Sequence, residues 1–299
     1  AQYPDVIHAI YQQENQYSQD KNIVKEFILP KITGKYVAIC EGDDYWTDPE
    51  KLSIQAAWLD AHPDYSACVH NTMNYCCDTG REAPYNTRYH GDRDIGFADV
   101  VNGVGGVFHT SSVMARSSLF RELPDYCVVS EKHGVGDHPR AILFALSGKI
   151  RYIDRYMSVY RNNSTPTAWT TRMRENAFLV DRLTGAVEMY AAALGHVEGE
   201  NKKLLEQTLH RYEWELLQAK GEYAEMRREP YRMITKQRGL IQMLWLDFKQ
   251  YLPGLYCLYM RARGMEKGIP EKLRQGKRCL RRSFHTLFGA LWSAAVRRA

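Results

Sequence analysis

The apolar positions of this chain change spacing partway along it, from short β-type runs to long helical stripes. Residues 35–40 (KYVAIC) form a short β-branched run that follows Gly34 and stops at Glu41-Gly42-Asp43-Asp44. Such a run predicts a buried strand that delivers acids at its C-terminal end. Thr47 and Asp48 are candidate N-caps, Pro49 suits a first turn, and Leu52, Ala56 and Leu59 recur at helical spacing. A helix is therefore predicted over 51–61. His62-Pro63-Asp64 ends it, and 65–70 (YSACVH) reads as the next strand. Residues 76–106, rich in Gly, Asp, Asn and Arg, read as loop. A short strand is expected over 113–115, a helix near 117–123, and a helix over 140–147 opened by Asp137-His138-Pro139. Two short strands follow over 150–153 and 157–160. Strands alternating with helices predict an α/β domain with a largely parallel sheet.

Beyond about residue 171 the pattern is helical only. Met173, Ala177, Val180, Val187, Tyr190 and Leu194 mark one stripe, and Leu205, Leu209, Tyr212, Leu216, Tyr223 and Met226 a longer one. Residues 240–260 are apolar but interrupted by Asp247, Lys249, Pro253 and Gly254. Two regions follow: an α/β domain over 1–171 and a helical C-terminal region over 172–299.

Composition narrows the class. The 299 residues, 44% hydrophobic and 25% charged, suit one large domain with an appendage and exclude a disordered, collagen-like or disulfide-stapled chain. No run of about 18 uncharged apolar residues occurs, which argues against a conventional transmembrane helix. Seven irregularly spaced cysteines without a CxxC pair argue against a zinc site and read as reduced thiols. The net charge of +5 is uneven: residues 261–299 hold 11 Lys/Arg against two Asp/Glu. There Phe284, Leu287, Phe288, Leu291, Trp292 and Ala295 fall at helical spacing between arginine pairs, the pattern of a basic amphipathic helix on a membrane surface or docked on its own body.

The acidic turn carries the chemistry. Several carboxylates on one sharp turn repel one another, and an oxygen-only donor set suits a hard cation, Mg²⁺ or Mn²⁺, shared with substrate phosphates. Open α/β sheets place ligands beyond the C-terminal ends of their strands, where Glu41, Asp43 and Asp44 fall. The bland alternative is a solvated turn with Asp48 as a helix cap. Trp46, beside the acids, is a candidate to stack on a sugar, core burial being equally compatible.

The stretch GKYVAICEGDDYWTDPEKL resembles the family 2 glycosyltransferases of the GT-A fold, Rossmann-like in layout, in order, spacing and residue types. SSVMARSSLF and GDHPRAILFALSGKIRYIDRYMSVYR resemble the second half of the same catalytic domain. The resemblance covers roughly residues 1–170. It implies that Asp44 binds the metal, that Asp43 lies near the ribose and diphosphate, and that Glu41 replaces the first acid of a DxD motif. It makes Asp137 the base that takes the acceptor hydroxyl proton; without the resemblance, Asp137 reads as a helix cap before Pro139. It also places Ser111 and Ser112, with the neighbouring His109 and Thr110, on the acceptor side, Arg161 at the end of a substrate-facing strand, and Lys21 with Asn22 toward the nucleotide.

Two departures stand out. Asn163 occupies the place where many relatives carry a histidine near the metal, so no third ligand is carried over. About two βα units of the family domain would lie before Ala1, so the GT-A sheet is expected to be N-terminally incomplete here. The implied function is a metal-dependent inverting glycosyltransferase that moves a sugar from a nucleotide-sugar donor to a glycan or lipid-linked acceptor in cell-surface polysaccharide synthesis. The expected location is cytoplasmic, peripheral at the inner membrane face, with no nucleic-acid partner. The competing readings are a nucleotidyltransferase using the same acids and a non-catalytic membrane-associated assembly protein.

Overall fold

The computed structural model describes residues 3, 5–14, 16, 24–103, 106–131, 133, 136–165 and 168–275. Lys21, Asn22 and the amphipathic stretch beyond residue 275 lie outside the described residues. By its internal contacts the chain divides into two units: residues 1–163 with 188–205, and residues 164–187 with 206–299.

Among the described residues, seven strands of the first unit pair into one sheet: β1 (Tyr36–Ala38), β2 (Tyr45–Trp46), β3 (Tyr65–Cys76), β4 (Arg81–Pro84), β5 (Arg93–Ile95), β6 (Met114–Arg116) and β7 (Lys149–Asn162). Their order is β1-β6-β3-β7-β2, with β4 added beside β3 and β5 beside β7. Strand β3 is buried from Tyr65 through Thr72, as a central strand covered on both faces must be. Helix α1 (Lys51–Ala61) packs on β3 and β6, and α4 (Asp137–Ser147) on β3 and β7. Leu59, Tyr65, Cys68 and Met114 form a core cluster, with Trp58 and Ile153 packed against it.

The α/β class is as expected, but the expected largely parallel sheet is mixed. Only β3 and β7 run parallel, from Tyr65 opposite Lys149 to Cys76 opposite Asn162; every other described pairing is antiparallel. The reason lies in the connections. A parallel return needs a long crossover, and only the β3-to-β7 stretch, holding α2 (Phe97–Gly103), α3 (Asp125–Glu131) and α4, is used that way. Strand β3 folds straight back into β4 through a four-residue turn ending at Gly80, whose φ of 66° favours glycine.

Local differences follow the same rule. The two strands expected over 150–153 and 157–160 are one strand, β7, carrying register shifts against β3. Part of the expected loop over 76–106 is β4, β5 and α2. The expected helix near 117–123 is a single 3₁₀ turn, Ser117–Phe120. Strand β1 is half-buried at the end of the strand order rather than fully buried.

In α1 the predicted apolar stripe is buried in part: Leu59 sits in the core with Ala56 packed against it, but Leu52 does not join them. Leu52 is 43% exposed, while Lys51, Gln55 and Leu59 point inward. Gln55 justifies its place by donating to the carbonyls of Cys68 (2.7 Å) and Ser112 (2.9 Å), so its buried amide is hydrogen-bonded.

The second unit is helical: α5 (Trp169–Arg172), the first part of α6 (Asn176–Ala193), most of α7 (Gly199–Lys220), α8 (Arg232–Gln237), α9 (Leu240–Tyr251), α10 (Pro253–Ala262) and α11 (Glu271–Gln275). Pro253 cannot donate to the α9 ladder, so the apolar stretch over 240–260 splits into two helices. Trp214, Tyr223, Met226 and Leu246 form one core cluster; Tyr256, Cys257, Met260 and Ile269 form another. No described helix is long and apolar enough to cross a membrane.

Candidate metal and transfer site

The turn leaving β1 is held against β7. The Asp44 amide N–H bonds the Glu41 carbonyl (3.0 Å), closing the turn. Asp44 Oδ1 accepts from the backbone N–H of Arg161 (3.0 Å), and the Arg161 guanidinium Nε donates to the Asp43 carbonyl. The rest of the Asp44 carboxylate is buried. Its second oxygen, Oδ2, finds no hydrogen-bond partner among the described residues, although His109 Nδ1 stands 3.6 Å away. That separation is too long for a hydrogen bond.

His109 comes from a segment 65 residues further on, as the N-cap of the 3₁₀ turn Thr110–Ser112, where its Nδ1 accepts the Ser111 N–H (3.2 Å). Its ring stacks on Tyr160 at 4.4 Å and meets Tyr85 edge-on at 5.1 Å. Burial drives the imidazole down to about 4, with Asp137 and Asp43 opposing, so the ring is neutral at neutral pH. A neutral ring is what a metal needs, since its lone pair is free of a proton.

Glu41, Asp44 and His109 each present one ligand atom within 4.8 Å of the others. Desolvation raises the pKa of Glu41, and the charges of Asp44, Asp137 and Asp43 raise it further, with Arg140 opposing. Glu41 is exposed as a residue, yet its carboxyl lies among other acids, which is why it titrates high. Asp44 is raised mainly by burial, with Asp43 adding to it and the Arg161 N–H opposing. The cluster thus holds more negative charge than its surroundings neutralise.

Asp137 is the first residue of α4, where a carboxylate suits the positive end of the helix dipole, and its Oδ1 accepts the His138 N–H (2.8 Å). It borders a small hollow of about 30 Å³, open to solvent, with Ile39, Val107, Thr110, His138 and Arg140. Asp137 also raises the pKa of both Glu41 and Tyr85, the latter pushed up to about 12 chiefly by burial. The acids of the β1 turn and the acid of α4 are therefore electrostatic neighbours. His138 points elsewhere: its Nε2 bonds the Tyr190 hydroxyl at 2.5 Å.

The other candidates are placed as follows. Trp46 is half-buried; its Nε1 donates to the Ser111 carbonyl (2.9 Å), and the Lys51 ammonium covers its ring at 4.4 Å. Lys51 is itself buried, bonded to Gln55 Oε1 (2.8 Å), and burial lowers its pKa to about 8. Ser111 and Ser112 do not stand open on an acceptor cleft. Both are fully buried: Ser111 Oγ donates to Ser158 Oγ (3.0 Å) and Ser112 Oγ to the His109 carbonyl (2.6 Å). Their hydroxyls build the turn that carries His109, and it is Thr110 that reaches the hollow. Arg161 is exposed, but its guanidinium is committed to the acidic turn. The residues that sequence reasoning missed are His109 as a metal-facing group and the Tyr85–Tyr160 pair that fixes it. The sequence points to His109 only as an acceptor-side residue beside Thr110, Ser111 and Ser112, not as a partner of the acids.

No family model matches the chain. It is similar to uncharacterized protein Rv1520 of Mycobacterium tuberculosis and to uncharacterized protein Mb1547 of Mycobacterium bovis. Each is 28% identical over 211 residues, which cover 68% of this chain and 56% of the relative. The chain thus spans about half the length of the curated relatives it matches.

Proposed function

We propose that this chain is the catalytic part of a metal-dependent inverting glycosyltransferase of family 2, GT-A type, acting from a nucleotide-sugar donor onto a glycan or lipid-linked acceptor. The observation that carries the reading is the pairing of two acid groups with different settings. Glu41 and Asp44 converge with His109 around an unpaired buried carboxylate oxygen, while Asp137 stands on a neighbouring hollow. The donor set fits a divalent cation: two carboxylates suit Mg²⁺ or Mn²⁺, and the imidazole favours Mn²⁺ of the two. Such a cation, when bound, neutralises the diphosphate of the departing nucleotide.

The residues divide the remaining work. Asp44 and Glu41 hold the cation, with Asp43 beside them near the ribose. Asp137 takes the proton of the acceptor hydroxyl as that oxygen bonds to the anomeric carbon. The bond from that carbon to the diphosphate oxygen breaks in the same displacement, and the sugar inverts. Arg161, through its grip on the Asp43 carbonyl, keeps the acidic turn in place. The basic C-terminal end would hold the enzyme at the cytoplasmic face of the membrane.

Binding of UDP and GDP, followed calorimetrically with and without Mn²⁺, tests the reading. The expected result is Mn²⁺-dependent binding that Asp44→Asn removes, with transfer of a sugar rather than release of pyrophosphate. Nucleotide binding indifferent to Mn²⁺ and to Asp44 would overturn it.

A further inference from the structure

Helices α9 and α10 are apolar on two sides at once. Their inner side is used within the helical unit: Leu246 packs with Trp214, Tyr223 and Met226, and Tyr256, Cys257 and Met260 pack with Ile269. Their outer side is apolar too and, among the described residues, stands open. Ile241 is 84% exposed, Leu240 71%, Leu244 58% and Leu258 54%; Trp245, Leu252, Leu255 and Tyr259 are also exposed. Ile241, Leu244 and Trp245 recur at helical spacing along α9, and Leu255, Leu258 and Tyr259 along α10, so each helix carries an outward stripe. A surface helix normally turns charged residues outward, and one apolar all round is either buried or meets lipid.

The charge around the stripe chooses the occupant. Residues 236–263 carry five Lys/Arg and one Asp. That single acid, Asp247, is engaged by Arg227. Lys236, Arg261 and Arg263 are exposed at the two ends of the helix pair. Apolar side chains with Trp and Tyr along the helix, and cations at the margins, are the composition of helices that lie in a membrane interface. Neither helix is long enough to span a bilayer.

We propose that α9 and α10 form a docking surface for an anionic lipid bilayer, with Ile241, Leu244, Trp245, Leu255 and Leu258 entering the interface. The proposal deepens the membrane location given above but does not depend on the transfer chemistry, and it adds a contact through a segment other than the basic C-terminal end.

The test is co-sedimentation of the full chain with vesicles of phosphatidylcholine, with and without phosphatidylglycerol. The chain is expected to bind the phosphatidylglycerol vesicles more tightly than phosphatidylcholine alone. Ile241→Glu and Leu244→Glu should each weaken that binding by about tenfold or more, because a charge enters the lipid-facing stripe. Both positions are exposed, so melting temperatures should stay unchanged, and Ile241→Ser serves if a glutamate perturbs the helix. Arg281→Gln with Arg282→Gln reports the C-terminal end separately. Binding lost only in the arginine variant would assign the contact to that end and overturn the proposal. Glutamate variants that melt lower with vesicle binding intact would mean that the chain covers the stripe itself, again against the proposal. Concentration-dependent self-association without vesicle binding would make the stripe an interface between copies. Nucleotide binding, measured alongside, is expected to be indifferent to all of these substitutions, so loss of the docking surface and loss of the transferase reading remain distinguishable.

Discussion

Replacing Asp44 by Asn should stabilise the cation-free protein, the opposite of what removing a well-bonded acid does. Asp44 Oδ1 keeps its bond from the Arg161 N–H in either form, so the link from the acidic turn to β7 survives. The difference lies at Oδ2, buried without a partner among the described residues. An unsatisfied buried polar atom costs about 1–3 kcal/mol, more when charged. Asp43 adds repulsion to the desolvation that already raises this carboxyl. The new amide is itself poorly partnered, with His109 the nearest group, so the lower part of that range applies and the gain is about 1–2 kcal/mol. At about 2–4 °C per kcal/mol for a unit of this size, the melting temperature rises by about 2–8 °C. The pH dependence follows from the direction of the shift. A carboxyl raised in the folded state favours folding while protonated, and that contribution disappears as pH rises through its folded pKa. The two proteins should therefore melt alike at acidic pH and diverge toward neutrality. Calorimetry on chelator-treated samples across that range checks this. Saturating Mn²⁺ should then reverse the order, because the parent gains about 2.7 kcal/mol at a hundredfold excess over its Kd and the variant gains almost nothing. The reasoning is refuted if the variant melts below the parent without cation, or if Mn²⁺ stabilises both equally.

Three other outcomes follow from the same geometry. Asp137→Asn should reduce sugar transfer by about a hundredfold or more while leaving Mn²⁺-dependent nucleotide binding intact, since the side chain borders the hollow and is absent from the ligand set; parallel turnover and calorimetry separate the two. Lys51→Met should raise stability near neutral pH, because a lysine lowered to about 8 opposes folding while it is charged. The gap to the parent should narrow as pH climbs from about 8 toward 10.5, the range over which the unfolded chain holds the extra proton, and denaturant titration at several pH values reads it. Gly148→Ala should destabilise by about 1–3 kcal/mol, since its Cβ would fall 2.7 Å from the Asp64 carbonyl, and backbone cannot yield as a side chain would; a thermal melt checks it.

Much of the site's skeleton is legible along the chain. The β-branched run before Glu41 marks the strand that ends in acids, and the Asp-His-Pro triplet marks the start of α4 at Asp137. Pro49, His62 and Pro63 bracket α1 as the structure has it. The helical character beyond residue 171 follows from apolar spacing of three and four. These are local statements, governed by backbone propensity and by periodicities within about a dozen residues.

The tertiary structure decides the rest. Whether a strand pairs parallel or antiparallel depends on the path between strands, which no periodicity encodes, so the sheet is mixed where a parallel one was expected. Which residues of α1 turn inward is settled by contacts across the sheet: Gln55 is buried and bonds the carbonyls of Cys68 and Ser112, whereas the more apolar Leu52 is exposed. Ser111 and Ser112 look like cleft residues by type and turn out to be the buried floor of a turn. Above all, the approach of His109 to Asp44 joins positions 65 residues apart, with the imidazole stacked on Tyr160 and met edge-on by Tyr85. The carboxylates and their order along the chain belong to the sequence alone. Their third partner, their burial and their raised pKa values exist only once the sheet brings distant segments together, because desolvation and mutual charge act through space and not along the chain.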